Sequence, residues 1–133
     1  MDTDNAPLGH EKLAVYQDAI AFVGWTEELF EAVSKGASLK KDLEKGSNRI
    51  PVLIAEGNGK PFGRARTNAW QSALSLAMEC AASLDVLVGR GVAKKKDVAE
   101  GKSLLGKIAE KLEGLLEEQT GFESKEELGL EFG

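Results

Sequence analysis

The chain has 133 residues, one cysteine, 29% charged residues and a formal net charge of −5. That length fits a single domain able to bury a core without staples, and Cys80 alone excludes an internal disulfide framework. The acidic balance argues against general nucleic-acid affinity, and with no charged-then-apolar leader and no apolar run near about 18 residues, the expectation is a cytoplasmic protein that stays out of the membrane.

Residues 1–10 are polar, contain Pro7 and Gly9, and read as a flexible arm. From Glu11 to Lys35, Leu13, Tyr16, Ile20 and Val23 recur at steps of three and four, which predicts an amphipathic first helix closed by Gly36. A second helix is expected from Ser38, whose hydroxyl can cap it, through Leu39, Leu43, Ile50 and Ile54 to Glu56. It carries Pro51 in its interior, where a proline removes one hydrogen bond and costs about 3 kcal/mol, so packing must hold it. Gly57 stands where a left-handed residue ends a helix, and is expected to have a positive φ.

A third, alanine-rich helix is expected over 62–88, with Ala65, Ala69, Ala73, Ala77, Ala81 and Ala82 allowing close approach by a neighbour. Gly89 and Gly91 end it. Along the fourth, 94–119, Val98, Gly101, Leu105, Ile108, Leu112 and Leu115 form a heptad seam, and Thr120-Gly121 should break it before an acidic tail at 121–133 bearing Phe122, Leu128, Leu130 and Phe132. No segment alternates as a strand would. Four long helices with short glycine-marked connections over 11–120 predict an all-α, antiparallel up-down-up-down four-helix bundle.

Chemistry-bearing patterns are scarce. His10 has no catalytic neighbours in sequence, and Cys80 lies on an apolar helix face as a buried, inert thiol. A di-iron bundle needs Glu-x-x-His pairs, and there are none; neither catalytic residues, metal ligands nor a cofactor site is expected. Gly57-Asn58-Gly59-Lys60 precedes a helix, but Pro61 stands where a phosphate loop needs serine or threonine. Between Ser38 and Arg66 seven basic residues face three acidic ones, a local +4, making Lys45, Arg49, Lys60, Arg64 and Arg66 candidates for anion or nucleic-acid contact. Trp25 and Trp70 fall at the margins of the apolar stripes and are candidates for contacts between copies.

The segment Pro51-Val52-Leu53-Ile54-Ala55-Glu56-Gly57 resembles the Pro-x-Asn-Ile-Ala-Glu-Gly signature of a bacterial four-helix-bundle family encoded in intervening sequences of large-subunit ribosomal RNA genes. Leu13-Ala14-Val15-Tyr16-Gln17-Asp18-Ala19 resembles the start of that family's first helix, and Leu53 stands where the family has asparagine. The resemblance implies structural roles for Pro51 and Gly57, assembly as a homopentamer and, in one branch, action as a nucleic-acid-binding accessory factor of a reverse transcriptase. Two functions are therefore expected in order: a non-enzymatic homo-oligomeric scaffold or adaptor that recognises itself and another protein, and then weak nucleic-acid binding.

Overall fold

A computed structural model describes residues 8–127, with side chains through Gln119. The arm at 1–7 and the apolar positions Phe122, Leu128, Leu130 and Phe132 of the tail lie outside the described side chains. Four helices form an antiparallel up-down-up-down bundle: α1 (Ala14–Ala32), α2 (Ala37–Asn58), α3 (Arg64–Gly89) and α4 (Lys95–Glu127). Each helix packs on its sequence neighbours and α1 closes the square on α4. Phe22, Leu43, Ile50, Ile54, Leu84, Leu87, Ile108 and Leu112 are fully buried between them. Burying each such side chain is worth about 1.5–3 kcal/mol.

The ends explain the boundaries. Before α1, residues Gly9–Lys12 form a 3₁₀ turn held by the Glu11 carboxylate, which accepts the Leu8 N–H, and the His10 ring meets Tyr16 edge-on at 4.7 Å. His10 is thus packed against α1, where the sequence suggested a loose arm. Gly36 does not close α1; it has φ 80° and precedes α2, so Ser38 makes no cap. The open carbonyls of Phe30 and Val33 instead accept hydrogen bonds from the Lys40 ammonium.

After α3, Gly91 has φ 74°, Val92 N–H donates to Leu87 O at 2.9 Å and Gly91 N–H to Val88 O at 3.0 Å. This pair of bonds is the Schellman arrangement, which only a left-handed residue closes without strain. The sequence expectation fails at the end of α4, where Thr120-Gly121 does not break the helix, which continues to Glu127. A mid-helix glycine lowers helix propensity by only about 1 kcal/mol, too little to stop a helix with favourable residues on both sides. α2 likewise runs unbroken through Pro51, whose ring is buried.

Candidate interaction surface

The α2–α3 turn is built around Gly57. Its φ is not positive, contrary to the sequence expectation, and α2 continues past it to Asn58. Glycine is needed there because a Cβ would overlap the Trp70 indole, which lies against the α2 backbone and donates its Nε1–H to Ile54 O at 3.2 Å. Arg66 completes the junction. Its Nε–H donates to Gly57 O and Lys60 O at 3.1 and 2.9 Å, its Nη2 to Asn58 O at 3.0 Å, and its guanidinium lies over the Phe62 and Trp70 rings. Arg66 therefore caps α2 rather than standing free for a phosphate.

Trp25 occupies a matching position in the other half of the bundle. Its ring fills the space over Gly101, where a Cβ would overlap it, and stacks on Phe22 at 5.7 Å. With 8% and 4% of their surfaces exposed, Trp25 and Trp70 belong to the chain's own core and do not offer a contact between copies. Each lies within the buried stripe of its own helix, Trp25 between Phe22 and Leu29 and Trp70 beside Ala73 and Ala77; the expected α1 stripe of Leu13, Tyr16, Ile20 and Val23 instead flanks the core.

The remaining four cations divide. Lys60 and Arg64 stay exposed at the α2–α3 turn. Lys45 and Arg49 lie along a groove between α2 and α3, opposite Leu76, Glu79 and Ser83, and the groove continues past Asn68, Gln71 and Ser75. Gly46 in its floor leaves room for Cys80, since a Cβ there would come 3.0 Å from Sγ. The Cys80 thiol is buried, and burial, with the Glu79 charge a smaller cause, pushes its pKa up to about 11, so it stays protonated and unreactive at neutral pH.

The outer face of α3 is the most unusual surface. Between Ala65 and Ala82 the exposed residues are Ala65, Asn68, Gln71, Ser72, Ser75, Met78, Glu79 and Ala82, with one charge among eight. Along an equal length of α4, from Lys95 to Leu112, seven of ten exposed residues are charged. By length and composition α3 could cross a membrane, contrary to the sequence expectation of no such run, yet only 28% of its most apolar eighteen residues is buried in the bundle. Met78 is 56% exposed on this face, and Val52, one turn from Arg49 on α2, is 50% exposed.

A second feature escaped the sequence reading: the turns joining α1 to α2 and α3 to α4 pack together, Gly36 lying against Val92 and Leu87. They gather exposed Lys35, Lys41, Arg90, Lys94, Lys95 and Lys96 at one end of the bundle. The Lys94-Lys95-Lys96 run was visible, but its neighbours came from a distant loop. Among the described residues no group of three or more His, Cys, Asp or Glu is placed to hold a metal. Gln119 is buried near the far end of α4 with both amide atoms unpartnered among the described residues. No protein-family model matches the chain, and no curated protein matches it.

Proposed function

We propose that the protein is a non-enzymatic homo-oligomeric scaffold or adaptor that self-associates through the outer face of α3 and the adjoining α2–α3 groove. The observation that carries this reading is the loss of charge on that face. A helix exposed to water normally presents charged residues outward, and depletion of charge is the compositional mark of an interface core. Small residues such as Ala65, Ser72, Ser75 and Ala82 let another helix come close. The resemblance of residues 51–57 to the intervening-sequence bundle family makes a pentamer the favoured assembly.

Light scattering after size exclusion tests it. A mass several times 14.2 kDa is expected, five times for the pentamer, and Ser75→Glu should lower it while leaving the helical circular dichroism intact. A wild-type mass of one chain at micromolar concentration would overturn the reading.

A second reading, a nucleic-acid-binding accessory factor of a reverse transcriptase, is favoured by Lys45 and Arg49 standing beside the uncharged Asn68, Gln71 and Ser75. Fluorescence anisotropy with single-stranded RNA at low salt should then show binding that Lys45→Ala/Arg49→Ala abolishes, with affinity falling as salt rises. An unchanged anisotropy in the wild-type protein removes it.

A further inference from the structure

We infer that copies of this protein meet head to tail, the basic loop end of one bundle receiving the acidic C-terminal half of α4 from the next. The inference rests on the self-association proposed above and adds a second contact between copies, made by surfaces other than the outer face of α3.

The basic end is concentrated. Within residues 33–41 and 89–98 the only acid is Asp97, and its carboxylate is engaged, accepting the Lys94 N–H at 3.0 Å. Lys40 is engaged as well, on the carbonyls of Phe30 and Val33. The other six cations, Lys35, Lys41, Arg90, Lys94, Lys95 and Lys96, are exposed and form no ion pair among the described residues. The packing of Gly36 on Val92 fixes the two loops as one surface.

The complementary surface lies on the same helix. Toward its C-terminus α4 exposes Glu110, Glu113, Glu117 and Glu118, and the one base among them, Lys111, is held by Asp18. α4 is described over 33 residues against 26 in α3, about 50 Å against about 39 Å.

This charge order is the reverse of what an isolated helix favours. Cations gather in the first turn, where the helix dipole is positive and disfavours them, and exposed anions gather in the C-terminal half, where Glu113 and Glu117 stand four apart and repel. The arrangement opposes the stability of α4 within one molecule and also crowds like charges at each end. Apposing the two ends of different copies relieves both, because each cluster meets its opposite and the helix dipoles align in series. A nucleic acid would meet the same basic end, but the chain's net charge of −5 opposes a polyanion, whereas a second copy brings its acids to the lysines and keeps its own lysines distant. The contact is heterologous, so successive copies close into a ring where their rotation permits.

The test uses the full chain in sedimentation velocity at about 50 and about 500 mM salt, where screening differs several-fold in range. Three proteins are compared: wild type, Lys94→Glu/Lys95→Glu/Lys96→Glu, and Glu113→Lys/Glu117→Lys/Glu118→Lys. The lysine variant suits the positive end of the α4 dipole and the glutamate variant changes only exposed positions within the helix, so helical circular dichroism should be kept and lost association is not lost folding. Wild-type association should weaken at least about tenfold in high salt, each variant alone should weaken comparably at low salt, and an equimolar mixture should restore association between unlike copies. Wild-type association that ignores salt and both variants, or a mixture without rescue, overturns the head-to-tail contact while leaving the scaffold reading standing. A wild-type monomer overturns both. Lysine variants that lose single-stranded RNA binding yet keep the wild-type mass would assign the basic end to nucleic acid and overturn the proposal.

Discussion

In the half of the bundle formed by α1 and α4, Trp25 lies over Gly101 and stacks on Phe22; in the half formed by α2 and α3, Trp70 lies over Gly57, donates to Ile54 O and carries Arg66 across its face. Both halves draw two helices together by placing an indole where a helix has no side chain. They differ in what else the indole does. Among the described residues Trp25 is held by packing alone, whereas Trp70 also belongs to a helix terminus, so the α2–α3 contact and the end of α2 form one unit. A close helix contact and a helix cap are usually separate devices, and here one residue cluster, Gly57, Arg66 and Trp70, serves as both.

The largest test of this comparison is removal of the rings. Trp25→Ala and Trp70→Ala should each cost about 3–5 kcal/mol in urea unfolding, with Trp70→Ala also fraying the end of α2. Amide exchange near Asn58 and Gly59 would report that fraying, and equal exchange in both variants would erase the distinction between the halves. Next come the glycines: Gly57→Ala and Gly101→Ala should each lose about 1–3 kcal/mol through overpacking. Gly101→Ala combined with Trp25→Leu should lose less than the sum of the two changes, since the smaller side chain vacates the space the methyl needs.

Arg66→Gln should cost about 1–2 kcal/mol, because it withdraws donors from the carbonyls of Gly57, Asn58 and Lys60 and leaves the ring contacts weaker. Lys40→Met, at the end of α1, should cost less than about 1 kcal/mol, since its flexible ammonium is readily replaced by water. Thermal melts of the two variants rank the caps. In the other direction, Gly106→Ala and Gly114→Ala should each stabilise by about 0.5–1 kcal/mol, because nothing lies within 4 Å of the new methyl in either case.

An effect that emerges only at alkaline pH is confined to the α2–α3 half. The Cys80 thiol titrates near 9.0 when unfolded and near 11 when folded, so the native state holds the proton more tightly and its contribution is complete below pH 9. As pH rises from 9 through 11 the wild type should lose stability relative to Cys80→Ala, and parallel curves for the two would show that burial of the thiol is incomplete.

Much of the architecture was legible from spacing. The seam Val98, Gly101, Leu105, Ile108, Leu112 and Leu115 is buried as far as Leu112 and half-buried at Leu115, and the three short connections forced adjacent helices to run antiparallel. The functional surface was less legible. Lys45, Arg49, Lys60, Arg64 and Arg66 are close in sequence, but folding directs Lys45 and Arg49 into a groove and uses Arg66 as a cap, while the larger basic cluster joins residues some sixty positions apart. Sequence proximity along a helix sets charge density per turn, not which loops become neighbours.

The sequence by itself determined the number of helices and the burial of Cys80, because a period of 3.6 residues and short loops leave one economical way to pair apolar stripes. It misplaced the buried face of α1: Val15, Ala19, Phe22, Trp25 and Leu29 face the core, whereas the expected stripe of Leu13, Tyr16, Ile20 and Val23 lies beside it, with Ile20 47% exposed. Only the tertiary structure decided the meaning of the glycines. Gly36 and Gly91 are turn residues with positive φ, Gly57 and Gly101 are seats for tryptophan rings, and Gly106 and Gly114 have open space where a Cβ would stand. The same residue type signals all three in sequence, and what separates them is what stands across the gap, which is a property of another helix.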